Sequence, residues 1–137
     1  MCKFILTEDG IEMCNYSQYV KTYKQKIEKQ KKDEKKLFKK LNKKARKAAK
    51  KLGQEFNIER VYLFGSLTNK NKFSLNSDID LAVKGLDPVK FLEAWGVLED
   101  YLNYDFDLVQ FEKANENLKN IIIKEGVIIY DSRQKKS

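Results

Sequence analysis

Ser77-Asp78-Ile79-Asp80-Leu81-Ala82-Val83 sets two carboxylates into a run that otherwise alternates as a β-strand does. With a side-chain period of two, Asp78 and Asp80 project from one face, roughly 7 Å apart, while Ile79 and Leu81 take the other. Like charges so placed repel each other unless water covers them or a cation sits between them. Further along, Phe106-Asp107-Leu108-Val109 repeats the pattern, with Asp107 between two apolar residues. If the two strands lie side by side, Asp78, Asp80 and Asp107 converge. Such a cluster can hold two Mg²⁺ ions roughly 4 Å apart, the arrangement used for in-line phosphoryl transfer. Taken singly, each motif has a plainer meaning. A D-x-D in a strand is usually a solvated face, and a lone Asp is usually half exposed.

Around this run, strands and helices alternate. Val61-Tyr62-Leu63-Phe64 is a short apolar stretch ended by Gly65, and Val127-Ile128-Ile129-Tyr130 is another. Asp87 before Pro88 predicts an N-cap and first helical position for a helix reaching Leu102. Asn115 to Glu125 predicts a further helix with Gly126 as its cap. The expected fold class is α/β: a small mixed sheet of about four strands with flanking helices. On the N-terminal side, no Pro or Gly interrupts Ser17 to Leu52. Val20, Tyr23, Ile27, Leu37, Leu41, Ala45, Ala48 and Leu52 fall mostly three or four apart, with a polar gap at Gln30 and Glu34. This predicts one long helix, or two, opened by Ser17 and stopped by Gly53, its last turns docked on the sheet. Ahead of it, Glu8-Asp9-Gly10 forms a candidate hairpin turn between Phe4-Ile5-Leu6 and Ile11-Glu12-Met13. The expected partition is hairpin and basic helix over 1–52, the α/β core over 53–132, and a frayed tail over 133–137.

Phe64-Gly65-Ser66 closes the first core strand and predicts a short helix. Glycine lets a phosphate approach the backbone, and free N–H groups with the Ser66 hydroxyl would bind its oxygens. A Gly-Ser after a strand is by itself usually a turn. Joined to carboxylates on successive strands, it outlines a site for a nucleoside triphosphate with its Mg²⁺.

The order Gly65-Ser66, eleven residues, then Asp78-Ile79-Asp80 resembles the G-S-x-D-x-D signature of the DNA polymerase β-like nucleotidyltransferase superfamily. Ser77 to Leu86, Phe106 to Val109 and Ile123 to Tyr130 narrow the resemblance to the minimal nucleotidyltransferases, which are often encoded beside an α-helical HEPN ribonuclease as its antitoxin. The likeness covers about half the chain, from Val61 to Tyr130. It implies a polymerase β-like nucleotidyltransferase fold with Asp78 and Asp80 as metal ligands. Asp107 would be the third carboxylate and the base for the attacking hydroxyl, and Gly65 and Ser66 would bind the triphosphate tail. It further implies Mg²⁺ in a two-metal site, with Mn²⁺ as the alternative, ATP as donor, and a tyrosine hydroxyl of a HEPN-type partner as acceptor of AMP. The gap between Ser66 and Asp78 is one residue longer than is usual in the family. The family's common Arg-Gly after the Gly-Ser is here Asn69-Lys70, so Lys70 or Lys72 would supply the charge.

Composition narrows the chemistry further. The 137 residues include no histidine, which excludes the Ser-His-Asp triad and the His-bearing zinc proteases. The two cysteines, Cys2 and Cys14, suggest neither a disulfide framework nor a zinc site. The start reaches Glu8 and Asp9 too soon for a secretory signal, and no apolar run approaches the roughly 20 residues that cross a bilayer. A cytoplasmic protein with no membrane contact is expected.

The net charge of +8 is unevenly spread. Lys21 to Lys51 holds 16 basic and three acidic residues, a net of +13, leaving −5 for the remainder. This basic stretch reads as a solvated helix, as an element contacting RNA or DNA, or as a helical contact to a protein partner. Three functions follow for the whole chain. The first is a nucleotidyltransferase acting on a protein hydroxyl. The others are a non-catalytic antitoxin that binds its partner, and a template-free enzyme modifying RNA ends.

Overall fold

A computed structural model describes the backbone of residues 4–7, 10–13 and 16–133, and side chains from Val20 to Arg133. Contacts divide the chain into two units, Met1–Lys35 and Lys36–Ser137. In the first, β1 (Phe4–Thr7) and β2 (Gly10–Met13) pair antiparallel, with Phe4 opposite Met13 and Thr7 opposite Gly10. The expected turn residues Glu8 and Asp9 lie outside the described residues, as do Cys2, Cys14 and residues 134–137 of the tail.

Helix α1 (Tyr16–Phe56) is assigned over 41 residues. Both expected ends need correction. The helix starts at Tyr16, one residue before Ser17, and it runs past Gly53 to Phe56. The stop is Asn57, whose φ of 54° is left-handed. The Ile58 N–H then donates back to the Gly53 carbonyl at 3.2 Å, which closes a Schellman-type end. Gly53 lies within the helix, where a Cβ would enter the ring of Tyr130.

In the second unit, β3 (Arg60–Phe64), β4 (Ile79–Lys84), β5 (Phe106–Gln110) and β6 (Val127–Asp131) form one sheet in the order β5-β4-β3-β6. The β3–β4 and β3–β6 pairs are antiparallel and β4–β5 is parallel, so the sheet is mixed, as expected. Helix α2 (Phe91–Leu102) makes the crossover between the parallel strands, and α3 (Glu116–Glu125) leads into β6. A local signal sets the start of α3, while the Asp87-Pro88 signal opens a 3-10 turn (Pro88–Lys90) and α2 itself begins at Phe91, three residues later than expected and without a side-chain cap. Asp87 accepts from the Val89 N–H at 3.1 Å, with Pro88 opening a 3-10 turn ahead of α2, and Asn115 accepts from the Leu118 N–H at 2.8 Å.

Strand alternation gives the sheet two different faces. Val61, Leu63, Ile79, Leu81, Val83 and Leu108 pack into the main core with Leu41, Ala45, Ala48, Ala49 and Leu52 of α1 and Ala94, Leu98 and Leu102 of α2. Tyr62, Phe64 and Ala82 face the other way and meet Ile122 and Leu118 of α3. Lys44 of α1 donates to the Leu102 carbonyl at 3.1 Å, a cation placed where the C-terminus of α2 favours one. Among the described residues, no helix is long and apolar enough to cross a membrane.

Candidate active site

Asp80 and Asp107 stand directly opposite each other on the parallel strands β4 and β5, about 4.8 Å apart along the pairing direction. By the period of two, both lie on the α3 side of the sheet, in line with Ala82 and Val109. Asp78 immediately precedes β4 rather than lying within it. Asp80 is half-buried, while Asp78 and Asp107 are exposed. Among the described residues, no ion pair or side-chain hydrogen bond joins any of the three to a protein partner.

The electrostatic consequence falls on Asp80. Burial first, then the charges of Asp107 and Asp78, push its carboxyl up from 3.8 to about 6. Desolvation and like-charge repulsion both disfavour the anion, and among the described residues no ion pair with a lysine or arginine relieves it. Three oxygen-donor carboxylates without a counter-charge suit a hard divalent cation such as Mg²⁺ or Mn²⁺. Among the described residues, no three acidic or thiol groups already converge on one metal position. The charges of Asp78 and Asp107 nonetheless reach Asp80.

On the other side of Asp80 lies the corner after β3. Phe64 is the cross-strand partner of Asp80, and Gly65 follows with φ +77°. A Cβ on Gly65 would overlap the Asp80 carboxylate, so glycine is required here for the close approach as well as for the backbone. The expected short helix is one 3-10 turn, Gly65–Thr68. It is closed by the Thr68 hydroxyl donating to the Gly65 carbonyl at 2.7 Å. Among the described residues, the Ser66 hydroxyl is committed to no side-chain bond. The structure thus sets Asp80 beside both Asp107 and Gly65, with Asp78 one residue outside β4 and the three carboxylates not gathered on one point. Lys70 and Lys72 are exposed on the loop after the turn, and neither ammonium forms an ion pair with these carboxylates.

Two supporting residues carried no signal in the sequence. Asn42 of α1 donates to the Leu67 carbonyl at 3.2 Å, fastening the turn to the core. Tyr104 donates its hydroxyl to the Ser77 carbonyl at 2.9 Å. Phe73, buried with its ring edge-on to Phe38 at 5.3 Å, anchors the loop between them. Only folding brings either polar group to its target, so neither could be read from spacing.

The sequence profile of the family described as polymerase beta, nucleotidyltransferase matches residues 43–135. The chain belongs to this family. It is a nucleotidyltransferase, and its core has the polymerase beta fold. Among solved structures it is similar to a toxin–antitoxin crystallised with AMP-PNP, at 29% identity and a TM-score of 0.55, over 65% of this chain and 75% of the other. It is also similar to a MntA–HpeT toxin–antitoxin mutant, at 28% identity and a TM-score of 0.51, over 61% and 70% of the two chains. A Sulfolobus solfataricus protein assigned to the nucleotidyltransferases shares the fold at 19% identity and a TM-score of 0.50, over 76% and 92%. No curated protein matches the chain.

Proposed function

We propose that this nucleotidyltransferase transfers AMP from ATP to a tyrosine hydroxyl of a HEPN-type toxin partner, and so acts as its antitoxin. The observation that carries the reading is the pairing of Asp80 with Asp107 beside Asp78 and the Gly65-Ser66 corner, without a cationic partner. The likeness to a toxin–antitoxin structure holding AMP-PNP supports the choice of nucleotide and of partner.

In this mechanism Asp78, Asp80 and Asp107 would hold Mg²⁺, which when bound neutralises charge on the triphosphate and on the leaving pyrophosphate. The Ser66 hydroxyl donates to an oxygen of the triphosphate tail, and Gly65 keeps the corner open beside Asp80. Lys70 and Lys72 bring positive charge to the same tail from the loop. Asp107, more exposed than Asp80, accepts the proton of the acceptor hydroxyl. The acceptor oxygen forms a bond to the α-phosphorus as the bond from that phosphorus to the bridging oxygen breaks in line, and the electron pair leaves with pyrophosphate.

The test is incubation with α-phosphate-labelled ATP, Mg²⁺ and the candidate toxin. Label on a toxin tyrosine, lost in Asp80→Asn, is expected. Toxin neutralised without label would instead identify a binding antitoxin with idle carboxylates. Label on RNA ends would point to the RNA-modifying reading, for which the exposed lysines of α1 would be the grip.

A further inference from the structure

Asp80 and Asp107 are fixed by the strand ladder, but Asp78 lies just outside it. What orients Asp78 must therefore act on the two peptide groups that flank it. The carbonyl on its N-terminal side, that of Ser77, accepts the Tyr104 hydroxyl at 2.9 Å. The N–H on its C-terminal side, that of Ile79, donates to the Asp105 carbonyl at 3.0 Å. Both tethers come from one short connection between α2 and β5, which Asn103 turns with a left-handed φ of 46°. The Tyr104 hydroxyl has one proton, and the Leu75 carbonyl at 3.5 Å is the poorer target. The Tyr104 ring packs against the main core, so the hydroxyl is presented from a fixed base. Ser77 is also held from its other side, where its N–H donates to the Ser74 carbonyl at 3.1 Å.

We propose that Tyr104 is a positioning residue for the metal-holding carboxylates, its hydroxyl fixing the peptide that aims Asp78 at the site. This rests on the reading of Asp78, Asp80 and Asp107 as the metal-holding set. Groups that orient a metal ligand commonly change metal affinity by about 10–100-fold when removed. Burial and the nearby charges of Asp78 and Asp105 hold the Tyr104 hydroxyl above its ordinary pKa, so it remains a donor.

The experiment is Mn²⁺ binding to the intact chain by titration calorimetry, comparing the parent with Tyr104→Phe, which keeps the ring and removes only the hydroxyl. A roughly tenfold rise in the Mn²⁺ dissociation constant is expected, with little change in melting temperature. Leu98→Ala, a core truncation far from Asp78 in sequence, serves as the control. It should lower the melting temperature while leaving Mn²⁺ affinity intact. Unchanged Mn²⁺ affinity in Tyr104→Phe, or an equal loss in Leu98→Ala, would overturn the positioning role. The metal reading is tested separately by Asp80→Asn and Asp78→Asn. If both bind Mn²⁺ as the parent does, that reading fails whatever Tyr104 does.

Discussion

Two requirements meet at Gly65: a left-handed φ of +77° and the space that the Asp80 carboxylate fills. The glycine was legible in the sequence, but its reason was not. Spacing pointed to an opening for phosphate, whereas the group that forbids a side chain arrives from β4 through strand pairing. Gly65→Ala should destabilise by about 1–3 kcal/mol and turn the Asp80 carboxylate away from Asp107. Mn²⁺ affinity should fall with it, and a variant that binds Mn²⁺ like the parent would show that the corner does not hold Asp80. For Asp80 the prediction is one of pH. Its carboxyl is raised from 3.8 to about 6, so between those values the folded chain binds more protons than the unfolded one. Stability therefore falls as pH rises through that window and levels off above it. Asp80→Asn removes the slope. Without metal it should be more stable than the parent above pH 6, by about 1 kcal/mol once solvent screening of a half-buried group is allowed for. Below about pH 4 the two should differ little. Urea unfolding at both extremes checks this, and a parent as stable as the variant at neutral pH would refute it.

Elements were legible where their ends are chosen locally. Asn115 caps its own helix within three residues, so sequence located the start of α3, whereas Asp87-Pro88 caps a 3-10 turn and α2 begins beyond it, at Phe91. The end of α1 was misread because Gly53 looks like a stop signal, while its actual service is to Tyr130 across the core. Asn57, a residue that also tolerates the left-handed conformation, takes the stop instead. Gly53→Ala pits two effects against each other. Helix propensity favours alanine by about 1 kcal/mol, while displacing the Tyr130 ring costs about 1–3 kcal/mol. A net loss of stability is expected. In a Tyr130→Ala background the same substitution should become stabilising. If Gly53→Ala stabilises the parent chain, the Tyr130 contact is not tight. The carboxylate pairing was legible for a similar reason to the caps. A period of two and parallel neighbours leave few ways to arrange Asp80 and Asp107, whereas Asp78, outside the ladder, depends on a loop contact no periodicity reveals.

Across the whole molecule, charge is segregated by sequence: +13 between Lys21 and Lys51 against −5 elsewhere. Within the second unit this becomes a face. Leu41, Ala45, Ala48, Ala49 and Leu52 of α1 are buried, while Lys36, Lys39, Lys40, Lys43, Arg46, Lys47, Lys50 and Lys51 are exposed. Among the described residues, none of these cations forms an ion pair. A surface hollow lined by Lys47, Lys50, Lys51, Gln54 and Glu55 lies here and includes none of the site carboxylates. The composition of the face helps to choose between occupants. Protein interfaces enrich Arg and deplete Lys, while Lys serves as a point charge for phosphate. Single-stranded nucleic acid further uses aromatic platforms for its bases, and the ring beside these lysines, Tyr101, is already covered by the Lys51 ammonium at 5.4 Å, whereas a duplex backbone requires only cations. Duplex binding is the expected outcome, independent of sequence. If the face meets about four phosphates, affinity should fall by roughly 10²-fold between 50 and 200 mM salt. Replacing Lys39, Lys43, Lys47 and Lys50 together by Gln in the full chain should weaken binding and flatten that slope, while nucleotide binding at the carboxylates is retained. Fluorescence anisotropy with a short DNA duplex and a single strand of the same length measures both. Duplex binding that is absent in the parent, or unchanged in the variant, would leave these lysines as a solvated helix face or a protein contact.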